Sequence, residues 1–230
     1  MKTVLITGSS SKICQSAIKK FLKNGYNVIT TYYKNKIELE NVANYYLDIK
    51  DETSVKNLIL NIKNVFGNID VLVNNIGICN DCSIEEKTIQ DFKNIIDVNL
   101  TGTFMLSKYI RGIMPKGVII NITSTNGIDT YYPESIDYDA SKAGVISLTH
   151  NFAKSYAPDI RVNALALGWV NTDMNKDMFD EFKKREESKI LLERFASPEE
   201  IANVIYFVAS DEASYINNSI IRVDGGKNEY

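Results

Sequence analysis

With 230 residues, 44% of them apolar and 24% charged, the chain has material for one well-buried core in one compact domain, 1–230, and too little for two. A formal net charge of -3 supplies no broad cationic face, so no nucleic acid is expected as a partner. No apolar run reaches the length of a signal peptide or a membrane span, so the expectation is no membrane and a cytoplasmic address.

In chain order, Val4-Leu5-Ile6 predicts a first strand over 2–6, followed by the turn Thr7-Gly8-Ser9-Ser10-Ser11 and a helix over 12–23. A strand, a tight Gly turn and a helix start form a phosphate cradle, because the helix's first N–H groups are unpaired and its dipole favours an anion. Further strands are expected at 27–31, 44–48, 69–73, 118–122, 160–166 and 219–223, where β-branched content is high. Helices are expected at 52–66, 88–110, 137–156 and 198–209, from apolar residues at three- and four-residue spacing. Segment 32–43 is too short for a crossover helix. Segment 167–197 reads as irregular, and its Trp169, Met174, Met178 and Phe179 amid charges suit a mobile substrate lid with an apolar underside. The alternation predicts an α/β fold: a Rossmann-type, doubly wound parallel sheet of about seven strands with helices on both faces. Its ligand crevice should lie at the carboxyl ends of the strands.

Three cysteines, Cys14, Cys79 and Cys82, are an odd count that suits reduced thiols. Cys79 and Cys82 form a C-x-x-C pair, but the only other soft ligands are Cys14 and His150, so no metal site is expected. His150 reads as a packed or interface residue rather than a catalyst.

Tyr138 and Lys142 are four residues apart and share one helix face. Tyr32 with Lys36 and Tyr46 with Lys50 have the same spacing, so spacing alone decides nothing. What sets the first pair apart is the strand end Ile119-Ile120-Asn121-Ile122-Thr123-Ser124, which brings a hydroxyl to the crevice about fourteen residues earlier.

Taken with Thr7-Gly8, Asp48, Asn74-Asn75-Ile76-Gly77, Val98-Asn99-Leu100-Thr101-Gly102, Gly168-Trp169-Val170-Asn171-Thr172-Asp173-Met174 and Val223-Asp224-Gly225-Gly226, the chain resembles the short-chain dehydrogenase/reductase family over essentially its whole length. Within that family it is most similar to the bacterial branch of 3-oxoacyl-carrier-protein reductases. The resemblance implies reduction of a carbonyl, or oxidation of an alcohol, with a nicotinamide cofactor. It implies four catalytic residues: Tyr138 as general acid, Lys142 tuning the phenol and holding the nicotinamide ribose, Ser124 bonding the carbonyl oxygen, and Asn99 supporting a water relay. A phenol titrates near 10 when free, and a cation at Lys142 is expected to draw it down. The implied cofactor site comprises Gly8, Ser10, Ser11, Lys12, Ile13, Asp48, Asn75, Gly77, Tyr138, Lys142, Gly168, Val170 and Thr172.

The chain departs from the family pattern where glycines normally open the first helix: Lys12 and Cys14 stand there. Cys14 is small enough to pack, whereas Lys12 either crowds the phosphates or pairs with them. Ile76 replaces the usual Ala, Leu167 the usual Pro, and Asn218 a common Gly. These departures keep a second class in view, a cofactor-impaired binding or regulatory protein of the same fold. NADP(H) is expected over NAD(H), because the second strand ends in Thr30-Thr31-Tyr32 without the acid that repels a 2′-phosphate. Ser9, Ser10 and Ser11 supply donors, and Lys12 or Lys34 a cation. The expected partners are a small-molecule carbonyl or alcohol and further copies of the chain in a homotetramer or dimer. That assembly would form through helices 88–110 and 137–156, which carry Phe104, Met105, Leu106, Val145, Ile146, Leu148 and Phe152. An acyl carrier protein is disfavoured, since the short connections at 111–117 and 156–160 offer few cations beyond Arg111 and Lys116.

Overall fold

The structure is a computed structural model that describes residues 1–173 and 179–227. Seven parallel strands form one sheet in the order β3-β2-β1-β4-β5-β6-β7. They are β1 (Thr3–Ile6), β2 (Asn27–Tyr32), β3 (Val42–Tyr46), β4 (Val71–Asn74), β5 (Gly117–Ser124), β6 (Ile160–Leu167) and β7 (Ile220–Val223). The helices are α1 (Lys12–Lys23), α2 (Glu52–Phe66), α3 (Ile89–Ile96), α4 (Gly102–Ile110), α5 (Ile136–Tyr156), α6 (Asp180–Glu187) and α7 (Pro198–Ala209), of which α1, α2, α4, α5 and α7 pack on the sheet. This is the expected Rossmann-type α/β architecture.

Strands buried on both faces need apolar side chains on both, and β1 and β4 are buried at every position. On one side, Val4, Ile6, Val73 and Ile120 pack against Ile13, Ala17, Ile18 and Phe21 of α1 and Ile201 and Ile205 of α7. On the other, Leu5, Leu72 and Ile119 pack against Val55 and Leu58 of α2, Leu106 and Ile110 of α4, and Phe152 of α5. The strand order reverses between β1 and β4, which opens the crevice at their carboxyl ends.

Three differences from the sequence expectation have local causes. β3 lies at 42–46 rather than 44–48, so Asp48 falls beyond the strand, in a turn where its Oδ1 accepts from Lys50 N at 3.0 Å. The expected helix 88–110 begins with a capping box, Thr88 with Asp91, but is interrupted by a π-turn at Asp97–Thr101. The segment expected to be irregular holds α6. Met174 and Met178 lie outside the described residues.

Among the described residues, no helix is long and apolar enough to cross a membrane, and no group of three or more His, Cys, Asp or Glu side chains could hold a metal ion.

Candidate active site

The end of β1 is locked to the end of β4. Thr7 Oγ1 accepts from Asn75 N at 3.0 Å and Ile76 N at 3.2 Å, while Asn75 Nδ2 donates to Thr7 O at 2.9 Å. Gly8 turns at φ +85°, a left-handed conformation that side chains disfavour, and a Cβ there would meet Ile76 Cγ1 at 3.3 Å. Ile76, in place of the usual Ala, therefore closes against the turn. Ser11 caps α1 without a side-chain hydrogen bond, and no acid stands in the first turn. Ser9 Oγ is fully buried with no hydrogen-bond partner. Donors left open at a positive helix end, beside a glycine turn, fit a dinucleotide pyrophosphate.

Cys14, at a position where the family has glycine, is fully buried beside Thr30 Oγ1 at 3.5 Å, so it packs α1 onto the sheet. Burial pushes its thiol up to about 12. Lys12 opens α1 with ordinary backbone, and its Nζ lies 2.8 Å from Asp173 Oδ1. Lys34, the other cation considered for a 2′-phosphate, lies over the Tyr33 ring at 5.9 Å.

At the centre, α5 presents Tyr138 and Lys142 to the end of β5. Lys142 is 4% exposed, and its Nζ donates to Ile122 O at 2.9 Å. A Cβ on Gly77 would lie 3.2 Å from Lys142 Nζ and 3.8 Å from Asn99 Oδ1, so Asn99 and Lys142 meet over this glycine. The π-turn carries Asn99 inward. Its Oδ1 accepts from Ile78 N and its Nδ2 donates to Ile78 O, both at 2.9 Å. Asn99 Nδ2 also donates to Ser141 Oγ at 3.0 Å, and Ser141 Oγ donates to Tyr138 O at 2.7 Å. Ser124 Oγ accepts from Asn126 N at 3.2 Å, and Asn126 Nδ2 donates to Asp139 Oδ1 at 2.7 Å.

The electrostatics differ from the sequence expectation. Burial pushes the Tyr138 phenol well above its usual range, the Ser124 hydroxyl acting the other way, while burial pulls the Lys142 ammonium down to about 8. Lys142 Nζ lies 5.4 Å from the centre of the Tyr138 ring and is engaged by Ile122 O. Placed over the ring, the cation does not draw the phenol down here.

Beyond β6, Gly168 packs on Asp224, where a Cβ would meet the Asp224 Cβ at 2.8 Å, and Val170 bridges to Ala196. Trp169 stacks on Phe195 with centroids 5.4 Å apart and meets Tyr132 at 6.0 Å and Phe182 at 6.1 Å. Tyr132 Oη donates to Glu186 Oε2 at 2.8 Å, tying α6 to the loop after β5. Asn218, at a position where glycine is common, adopts φ +59° and its Oδ1 meets His150 Nδ1 at 2.6 Å.

Sequence reasoning missed Asn126, Asp139, Ser141 and Gly127, which position the four candidate residues. Of these, only Gly127 leaves a sequence signal, a glycine just past the strand that carries Ser124.

The family model described as enoyl-(acyl carrier protein) reductase matches residues 8–228. The chain is 36% identical to the 3-oxoacyl-[acyl-carrier-protein] reductase FabG of Aquifex aeolicus, over 98% of this chain and 96% of that one. It is equally identical to FabG of Thermotoga maritima, over 98% and 97%. Among solved structures, the ligand-free aldohexose dehydrogenase of Thermoplasma acidophilum superposes with a TM-score of 0.92 at 30% identity, covering 98% of this chain and 93% of that one. The chain belongs to the short-chain dehydrogenase/reductase family of NAD(P)-dependent oxidoreductases.

Proposed function

We propose that this protein reduces a carbonyl to an alcohol with NADP(H), using Tyr138 as the proton donor. The observation that carries the reading is the meeting of Asn99 from the π-turn, Ser124 from the end of β5, and Tyr138 and Lys142 from α5 at the crevice. When bound, the nicotinamide supplies the hydride. Ser124 Oγ, which donates to Asn126 Oδ1 at 3.0 Å here, gives up that bond to donate to the substrate oxygen, where negative charge grows. A phenol raised by burial holds its proton at neutral pH and releases it to that oxygen. Lys142 binds the ribose hydroxyls once its ammonium leaves Ile122 O, and the ribose-bound ammonium then favours the phenolate that remains. The open donors at α1, with Gly8 and Gly77, favour an enzyme over the cofactor-impaired alternative.

The FabG relatives make a 3-oxoacyl thioester the first substrate class to test. Arg111 is engaged by Asp159 at 3.0 Å and by Met114 O at 3.1 Å, which leaves it a poor anchor for an acidic carrier protein. The test is NADPH oxidation with acetoacetyl-coenzyme A by wild-type protein and by Tyr138→Phe. The variant should keep its fold and its NADPH affinity and lose about 10²- to 10⁴-fold in kcat. Near-normal turnover by Tyr138→Phe would remove the assignment.

A further inference from the structure

β1 and β6 are separated in the sheet by β4 and β5, yet the segments that leave their carboxyl ends are joined by one ion pair. Lys12, the first residue of α1, reaches Asp173, six residues past β6, with 2.8 Å between Nζ and Oδ1. The side chains are 48% and 62% exposed, so this contact is weak and readily exchanged. It lies beside the Gly8 turn, where α1, like α4, has no acid in its first turn, whereas α2, α3, α5, α6 and α7 each carry at least one. The carboxylate paired with the first residue of α1 thus comes from a different part of the chain. The fully buried Ser9 Oγ, without a partner, belongs to the same turn.

We infer that Asp173 is a stand-in anion: it holds Lys12 until a dinucleotide arrives, and the pyrophosphate then takes Lys12 from it. The inference rests on the proposed binding of a dinucleotide in this crevice. A pyrophosphate carries more charge than one carboxylate and also meets the open N–H groups of α1, so it wins the exchange. Lys12 is held on the β6 side of β1, whereas Tyr32 and Lys34 follow β2 on the opposite side. Lys12 therefore serves the pyrophosphate common to both coenzymes, and the 2′-phosphate is left to other groups. A lysine replaces glycine here without losing the site, because added charge offsets the lost close approach.

Calorimetric titration of NADP⁺ and NAD⁺ into wild-type protein, Asp173→Asn, Lys12→Met and the double variant tests this. Asp173→Asn should tighten both coenzymes by the same factor, about two- to five-fold, as expected for release from an exposed ion pair. The gain should shrink as salt is raised. Lys12→Met should weaken both coenzymes equally, and in its background Asp173→Asn should have no further effect. Wild-type binding with unchanged or weakened affinity in Asp173→Asn overturns the inference alone, as does an undiminished gain in the double variant. Wild-type protein that binds neither coenzyme overturns the dinucleotide reading and the stand-in role together.

Discussion

Lys142 Nζ lies over the Tyr138 ring, 5.4 Å from its centre, and gives a hydrogen bond to Ile122 O at 2.9 Å rather than turning toward the phenol oxygen. The two side chains lie one turn apart on α5 yet are pushed in opposite senses by burial, the phenol up and the ammonium down. Both shifts favour the neutral form, as desolvation requires. The site is therefore poised: a ligand that satisfies the ammonium also restores a cation beside the phenol.

The lowered Lys142 has a consequence for stability that can be read without substrate. Its pKa is about 8 in the folded protein, against 10.5 ordinarily. Between those values the unfolded chain binds more protons than the folded one, so this residue's contribution rises with pH across that window. Below about 8 its burial cost is fully present, of order 3 kcal/mol from the size of the shift. Lys142→Met should therefore be most stabilised relative to wild type near pH 7, with the gap narrowing as pH climbs from 8 toward 10.5. Thermal melts of both proteins across that range check it. A gap independent of pH would mean that Lys142 titrates normally.

Much of this architecture was legible because strands buried on two faces have to be runs of Val, Ile and Leu, and β1, β5 and β6 are such runs. Four of the predicted helices matched to within a residue, since a three- and four-residue apolar period leaves little freedom. The π-turn at Asn99 was not legible: one extra residue in a turn shifts the apolar phase too little to notice, and its stabilising contact, the Ile78 backbone, is distant in sequence. α6 was hidden for another reason. Its sequence, Asp180-Glu181-Phe182-Lys183-Lys184-Arg185-Glu186-Glu187, is nearly all charged, so only Phe182 hints at a packed side. The pairing of Lys12 with Asp173 joins two residues 161 positions apart (173 minus 12) and depends on the tertiary fold.

The proposed preference for NADP(H) should weaken on changing one residue. β2 ends at Tyr32, a position where an acid would accept the ribose hydroxyls and repel a 2′-phosphate. Thr31 is committed elsewhere, its Oγ1 accepting from Gly8 N at 3.2 Å, so it should be left in place. Tyr32→Asp should raise the ratio of Kd for NADP⁺ to Kd for NAD⁺ by about tenfold, the scale of one added repulsion near the surface. An unchanged ratio would place the 2′-position away from Tyr32.

Self-association should follow from the helices on the α2–α4–α5 side. Met105, Leu106, Val145 and Phe152 prove to be core residues, which removes them as evidence for an interface. Exposed apolar side chains on or beside that layer include Leu60 at 55% and Val65 at 66% on α2, Ile89 at 73% on α3, Phe104 at 40% on α4 and Ile136 at 44% on α5. Large apolar side chains left exposed on these helices are candidates for a contact surface. Light scattering should report a dimer or tetramer at micromolar concentration, and Ile89→Glu with Phe104→Glu should lower that mass. A wild-type monomer would rule the interface out.

Gly127 lies where the turn after β5 approaches α5 most closely, between Ser124 and the proposed proton donor Tyr138. It ends the single helical turn after β5, and a Cβ there would lie 2.7 Å from the Lys142 carbonyl carbon, 2.8 Å from Lys142 O and 2.8 Å from Ala143 N. These are backbone atoms of a long, packed helix, so no side chain can swing aside to relieve the contact. Either the turn carrying Asn126 retreats, taking the orientation of Ser124 with it, or α5 is pushed away together with Tyr138 and Lys142. Gly127→Ala should cost about 1–3 kcal/mol by overpacking. Its larger effect should be on chemistry, since small displacements between a proton donor and the bonded carbonyl oxygen lower turnover by about 10²-fold. Gly112→Ala is the control, because a Cβ there meets nothing within 4 Å. The expected outcome is a Gly127→Ala protein that remains folded, melts below wild type and loses far more kcat than NADPH affinity, with Gly112→Ala indistinguishable from wild type. If the two alanine variants behave alike, the close approach of the β5 turn to α5 does not set the geometry of the site.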